Sequence, residues 1–340
     1  MRQRKVLIVD DDQNISRLLA QFLAIQGYEG AIANSAAKAL ALLSHLHFDA
    51  FLLDIDMPGK NGISLCREIR KIKEYEATPI LFMTGAPHHL EEAFAAGCDD
   101  FITKPVDQIV IRARLKGHLE RAEQAELLTA TRRMLDQYVS KRTRDVAESA
   151  AKTGMLPQPH RQNVVVLFTD IRGFTSLSEE LDPGQLFSQI SANLAMQVDL
   201  IYDFGGYVDK FGGDGLMAVF DGSEMAAQSC LCALSIVREA QKIAVTDDRL
   251  RQLGIGIHMG PVVIGNIGSP EHLDYSAIGA TVNLAARLCG QASALSIVVS
   301  EAVRNAVLGD SRLRLDSGNQ VTIRGIKEPV SIYHLVSGEV

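Results

Sequence analysis

Two aspartates in the second half of the chain have the setting of metal ligands. Asp170 ends the apolar run Val164-Val165-Val166-Leu167-Phe168-Thr169, and Asp214 sits in the turn Gly212-Gly213-Asp214-Gly215. The first run is short and β-branched, which reads as a buried strand. The turn is flanked by apolar segments 205–211 and 216–220, so it reads as the tip of a hairpin. A strand lying beside that hairpin brings both carboxylates to one point. Hard divalent cations such as Mg²⁺ take oxygen ligands of this kind and keep substrate phosphates in their shell. The Gly-containing turn Ile171-Arg172-Gly173-Phe174-Thr175 adds backbone amides that could face a phosphate. Either aspartate alone would be an ordinary turn residue. Asn283 and Arg287 stand four apart in a helical segment and so project from one face. Alone, such a pair is an unremarkable exposed helix face. His258, in a strand among glycines, reads as structural.

The elements that must hold these residues form an α+β pattern. After the strand ending on Asp170 come helices, the hairpin, a helix over 223–243 and a strand over 253–260. The continuation 261–268 is expected to fold back as the antiparallel partner of 253–260. Strand, helices, two strands, helix, strand fits a ferredoxin-like sheet. The first part of the chain differs. Strands at 5–10, 29–33, 48–53, 79–83 and 100–103 alternate with helices through Ile15–Leu23, 36–45, 62–73, 88–96 and from 107. That alternation predicts a doubly wound α/β fold with a five-stranded parallel sheet. Ligands bind such sheets at the carboxyl ends of the strands, where the strand order reverses. Asp10, Asp11, Asp54, Thr84 and Lys104 all fall at those ends.

Between 106 and 151 the only Gly or Pro is Gly117, and the composition favours helix. Leu115, Leu119, Ala122, Leu128, Leu135, Val139 and Val146 form a narrow seam, interrupted by Arg132 and Arg142. Two chains could share it as a parallel coiled coil, with one long surface helix as the alternative. Gly154, Pro157 and Pro159 end the helix. The expected domains are 4–122 and 161–338, joined by a connector over 123–160.

The net charge of −7 weighs against a nucleic-acid role, and the basic cluster between Arg132 and Arg144 has no readout element beside it. No apolar stretch approaches the ~18–20 residues of a membrane span. Met1-Arg2-Gln3-Arg4-Lys5 leads directly into a strand with no signal-peptide core, so a cytoplasmic location is expected. Cys66, Cys98, Cys230, Cys232 and Cys289 are scattered and are expected to be reduced and mostly buried.

Asp10-Asp11, Asp54 followed by Met57-Pro58-Gly59, Thr84 and Lys104-Pro105 together resemble a response-regulator receiver domain. The resemblance implies that Asp54 is the nucleophile accepting a phosphoryl group from a sensor histidine kinase. It also implies Mg²⁺ held by Asp10, Asp11, Asp54 and the backbone carbonyl of Asp56. Lys104 would neutralise phosphoryl charge and Thr84 would bond a phosphoryl oxygen. Phe101 stands where the family carries a rotamer-switching aromatic, although a plain core aromatic is the simpler reading.

Phe168-Thr169-Asp170-Ile171-Arg172-Gly173-Phe174-Thr175, the 209–220 segment and the run from Tyr275 to Arg287 resemble a class III adenylyl/guanylyl cyclase domain. The resemblance implies two Mg²⁺ or Mn²⁺ ions at Asp170, Ile171 and Asp214, and substrate against Phe174 and Thr175. Asn283 would orient the ribose. Arg287 would stabilise the charged transition state, a role that suits a planar, permanently charged guanidinium. Lys210 and Ser276 occupy the base-selecting positions. Lysine favours adenine where guanylyl cyclases usually carry an acid, and Ser276 is nearest a bacterial, often bicarbonate-responsive subgroup. Ala280 replaces the acid of a usual Gly-Asp pair, and Arg324 is assigned to the triphosphate. The implied reaction makes 3′,5′-cyclic AMP and pyrophosphate from ATP by two-metal chemistry in a homodimer, under control of phosphorylation at Asp54. Three rivals remain. A guanylyl cyclase is disfavoured by Lys210. A diguanylate cyclase lacks support because Gly213-Asp214-Gly215-Leu216 has no Glu-Phe. A nucleotide sensor acting through partner binding is encouraged only by Ala280.

Overall fold

Short β-branched and aromatic runs build the core of each half of the chain. The computed structural model describes residues 2–85, 90–243, 245, 247–269 and 271–337. They divide into two units, Met1–Met134 and Leu135–Val340.

In the first unit, β1 (Lys5–Val9), β2 (Glu29–Ala33), β3 (Ala50–Asp54), β4 (Ile80–Thr84) and β5 (Asp100–Thr103) form a sheet in the order β2-β1-β3-β4-β5. Every pairing is parallel. The helices are α1 (Gln13–Ile25), α2 (Ala36–Leu43), α3 (Gly62–Lys71), α4 (Leu90–Ala95) and α5 (Gln108–Leu135). Residues 88 and 89 of the expected fourth helix lie outside the described residues. Both sheet faces are covered, as a parallel sheet requires. Val6 and Ile8 pack with Leu19, Leu23, Ile111 and Leu115 on one face. Leu7 and Val9 pack with Ile63, Cys66 and Ile69 on the other. Each such side chain contributes about 1.5–3 kcal/mol by leaving water. Asp12, Ser35 and Asn61 cap α1, α2 and α3 through their side-chain oxygens. The strand order reverses between β1 and β3, which opens the crevice where Asp10 and Asp54 lie.

The second unit begins with α6 (Lys141–Thr153), followed by β6 (His160–Ile171), α7 (Phe174–Glu180) and α8 (Pro183–Asp203). Then come β7 (Tyr207–Phe211), β8 (Leu216–Phe220), α9 (Met225–Ala240), β9 (Leu253–Ser269), β10 (His272–Ile278), α10 (Ala280–Gln291), β11 (Ser296–Ser300) and α11 (Glu301–Ala306). Three more strands close the unit: β12 (Leu313–Leu315), β13 (Asn319–Val321) and β14 (Val330–Ser337). The order β9-β6-β8-β7 places the first strand between the third and fourth, the arrangement expected of a βαββαβ unit. Beyond β9 the sheet continues through β11, β14 and β12. Val165 and Leu167 of β6 face a core shared with Leu186, Ile201, Cys230 and Ile236, whereas Val164 and Val166 face Val262, Ile264, Tyr275 and Ala285.

Two expectations are corrected. The segment 261–268 does not fold back on 253–260. β9 runs unbroken, opposite β6 as far as the pair His160↔Ile264, and the returning partner is β10. β6 starts before its apolar run and offers a ladder to the second half of β9. Pro261 is tolerated because β11 pairs β9 only as far as Ile257 and β10 only from Val263, so among the described residues the proline has β6 alone as neighbouring strand. The connector is not one helix either. It breaks over 136–140, and Ser140 caps α6 by accepting from Thr143 N at 3.2 Å. Nor does the apolar seam stay free along its length. Leu115 and Leu119 are buried in the first unit's core, and Val146 packs against the second unit's core. Leu127, Leu128, Met134 and Leu135 remain exposed.

Candidate active site

The crevice of the first unit gathers three carboxylates and one ammonium. Asp10 directly follows β1, Asp54 and Thr84 end β3 and β4, and Lys104 follows β5. Ligand atoms of Asp10, Asp11 and Asp54 lie within 4.8 Å of one another, with Asp10 and Asp54 buried and Asp11 exposed. An all-oxygen set of this size suits Mg²⁺. Lys104 Nζ lies 3.0 Å from Asp10 Oδ2 and 2.9 Å from Asp54 Oδ1. Burial raises the pKa of Asp54, Lys104 pulls it back, and the Asp10 charge adds to the rise. Burial works against the Lys104 ammonium, but its two carboxylate partners outweigh that and raise its pKa. Asp56 follows closely, its amide donating to Asp54 Oδ1 at 3.4 Å. Thr84 is buried. Phe101 is half-buried, edge-on to Phe94 at 6.2 Å and with Arg114 over its ring at 5.9 Å.

In the second unit the hairpin tip lies on the end of β6. A Cβ on Gly215 would stand 1.8 Å from the Thr169 carbonyl oxygen, so only glycine permits this approach. Leu216 N donates to Thr169 Oγ1 at 3.1 Å, and Ile171 N donates to Asp214 Oδ2 at 3.1 Å. Asp170 and Asp214 are thereby brought together. Burial and the adjoining Asp170 carboxyl push Asp214 up to about 6. Two converging carboxylates form a site whose natural complement is a divalent cation.

Sequence reasoning passed over Arg172, which donates to the Asp170 carboxylate and also reaches the carbonyls of Cys289 and Ala292 at 3.4 and 3.5 Å. It therefore ties the end of β6 to the end of α10. Gly173, with φ of 72°, turns the chain into α7, whose first residues are Phe174 and Thr175.

α10 lies so close on β9 that a Cβ on Gly256 would meet Cys289 N at 2.0 Å. Ala280 is its first residue, Asn283 is exposed one turn on, and Arg287 extends beside Gly325 in the turn that carries Arg324. No hydrogen bond or ion pair joins Asn283 or Arg287 to Asp170 or Asp214 among the described residues.

Lys210 of β7 and Ser276 of β10 meet at a residue the sequence reading missed. Asp209 Oδ2 accepts from Ser276 Oγ at 2.6 Å and lies 3.4 Å from Lys210 Nζ. The two successive polar residues Asp209-Lys210, breaking the strand's alternation, were the available signal. His258 lies on β9 and is half-buried. Its Nδ1 lies 2.7 Å from Ser300 Oγ, and burial lowers its pKa to about 4. All five cysteines are free and buried. Among the described residues, no helix is long and apolar enough to cross a membrane.

Residues 6–116 match the response regulator receiver domain model. An adenylate cyclase of Anabaena cylindrica is 33% identical over 188 residues, covering 51% of this chain and 37% of that protein. The transcriptional regulatory protein ResD of Bacillus subtilis (strain 168) is 38% identical over 130 residues, covering 38% of this chain and 53% of ResD. The chain thus spans about half or less of the length of these curated relatives. A bacterial light-regulated adenylyl cyclase structure shares the fold, with a TM-score of 0.54 at 22% identity over 69% of this chain and 67% of that one. Residues 156–337 match the adenylate and guanylate cyclase catalytic domain model, and with that match over more than half its length the chain belongs to this family, its catalytic domain preceded by a receiver domain.

Proposed function

We propose that the chain is an adenylyl cyclase, converting ATP to 3′,5′-cyclic AMP and pyrophosphate under control of phosphoryl transfer to Asp54. The observation that carries the reading is the convergence of Asp170 and Asp214 at the end of β6, held by the Ile171 amide and the Gly215 approach. Asp170 and Asp214 would hold divalent cations there, which would supply Lewis acidity toward the ribose 3′-hydroxyl and the leaving pyrophosphate. The chain's own side chains do the rest. Lys210 and Ser276 hold the base, Asn283 the ribose, and Phe174 and Thr175 at the start of α7 lie against the substrate. Arg287 and Arg324 place cationic charge where the transition state develops negative charge, the usual means of stabilising it.

Each site is read as shared between the two chains of a homodimer, with Asp170 and Asp214 from one chain and Lys210, Asn283 and Arg287 from the other. Leu128 and Leu135, exposed seven apart on α5, are consistent with contact between two copies. Asp54, flanked by Asp10, Asp11 and Lys104, accepts the phosphoryl group from a sensor kinase. Ser276 adds an expected stimulation by bicarbonate, read at fixed pH and ionic strength. The test is incubation of the protein with ATP or GTP and Mg²⁺ or Mn²⁺, with products identified by mass. Cyclic AMP is expected. Cyclic GMP as the main product points to a guanylyl cyclase, and no cyclic nucleotide to a nucleotide sensor.

A further inference from the structure

We infer that Asp209 is the positioning residue for purine selectivity, committing the proton of Ser276 so that its hydroxyl meets the base only as an acceptor. The inference rests on the reading of Lys210 and Ser276 as the base-holding pair. β7 pairs Val208 with Ala218 and Lys210 with Met217, which leaves Asp209 as an extra residue in a bulge. A bulge re-aims the side chain of its extra residue. The Asp209 side chain is accordingly only 2% exposed, while that of its neighbour Lys210 is 48% exposed. It points at β10, where Oδ2 accepts from Ser276 Oγ at 2.6 Å and Oδ1 accepts from Ala277 N at 3.2 Å.

A hydroxyl has one proton and rotates to suit its surroundings, so an isolated serine reads a donor and an acceptor equally well. An ionised carboxylate only accepts. The buried Ser276 hydroxyl directs its proton to Asp209, so only its lone pairs are left for a ligand. Lys210, drawn to the same Oδ2 at 3.4 Å, is a donor without acceptor capacity. The two side chains therefore present one donor and one acceptor side by side. Adenine offers the complement, an acceptor ring nitrogen next to a 6-amino donor. Guanine offers a ring N–H donor next to a 6-oxo acceptor, and is mismatched at both places.

The test is Asp209→Asn in the full chain, with kcat/KM measured for ATP, GTP and purine riboside triphosphate, which lacks a 6-substituent. Ala277 N–H still requires an acceptor, so the amide oxygen stays there and the amide NH₂ turns to Ser276. Ser276 must then accept, and its proton faces the base. The ATP:GTP ratio should fall by at least about tenfold, since unpaired polar groups discriminate strongly. The wild-type advantage of ATP over purine riboside triphosphate should shrink with it. A loss of activity equal for all three nucleotides would mean a merely structural role and overturns the inference, as does an unchanged ratio. Ser276→Ala keeps the proposal falsifiable if Asp209→Asn does not fold. It should erase the advantage of ATP over purine riboside triphosphate, and retention of that advantage overturns the inference. A wild-type protein that makes no cyclic AMP overturns the proposed function itself. A wild-type adenylyl cyclase whose Asp209→Asn variant keeps its ATP:GTP ratio overturns only the role of Asp209.

Discussion

Gly215→Ala probes whether the contact between the hairpin and β6 sets the metal site. The added Cβ would stand 1.8 Å from Thr169 O, 2.7 Å from Thr169 C and 3.0 Å from Asp170 Cα. All three are backbone atoms, so no side chain can swing away. Restoring ordinary contact moves the turn by about 1.5 Å relative to β6, on the distance scale of carbon contacts. Asp214 is the residue before Gly215 and moves with it. A misplacement of about 1 Å at a reacting centre costs on the order of 100-fold in rate, so cyclic AMP formation should fall by at least that factor. The stability cost should stay near 1–3 kcal/mol, because the overpacking is local to one turn. The β6–β8 pairing over Val165–Phe168 lies further along the strands. The assay is cyclic AMP production with Mg²⁺ or Mn²⁺, beside a thermal melt and phosphate incorporation into the receiver as checks of folding. Gly222→Ala is the control, since a Cβ there meets nothing within 4 Å. A Gly215→Ala protein keeping more than about a third of wild-type activity would refute the argument that this approach positions Asp214.

Asp54→Ala should abolish incorporation of label from a small phosphodonor with Mg²⁺, and a label surviving in that variant would show another acceptor. Asp170→Asn and Arg287→Ala should each be nearly inactive, yet co-expressed as mixed dimers should recover roughly a quarter of wild-type activity, because about half the dimers are mixed and each has one intact site. Mixed dimers as dead as either parent would show that each site is built within one chain. His258 has its pKa lowered from 6.5 to about 4, so its stabilising contribution is complete above pH 6.5 and is lost as pH falls toward 4. Denaturant titration should show the wild type losing about 2–3 kcal/mol more than His258→Gln between pH 7 and pH 4.5. Equal losses would mean that His258 is not held neutral by burial.

Much of the architecture was legible in residue order alone, because it depends on neighbours along the chain. Strand runs ended by polar residues placed Asp10, Asp54, Thr84 and Lys104 at one edge of the first sheet, since parallel strands joined by helices all present the same end. The four-residue spacing of Asn283 and Arg287 needed only the helical period. The Gly-rich segment around Asp214 announced a hairpin through backbone preference.

What remained hidden depended on partners distant in sequence. Pro261 looked like a turn, yet β9 runs through it because β6 extends far enough to pair there and no other strand among the described residues borders that stretch. The connector read as unbroken helix, because nothing in its composition foretells that Leu115 and Val146 pack into the cores of different units. Asp209 looked like one more acid beside a lysine. Its burial against Ser276 comes from a bulge that exists only once β7 is registered on β8, and cross-strand register is a property of two segments together.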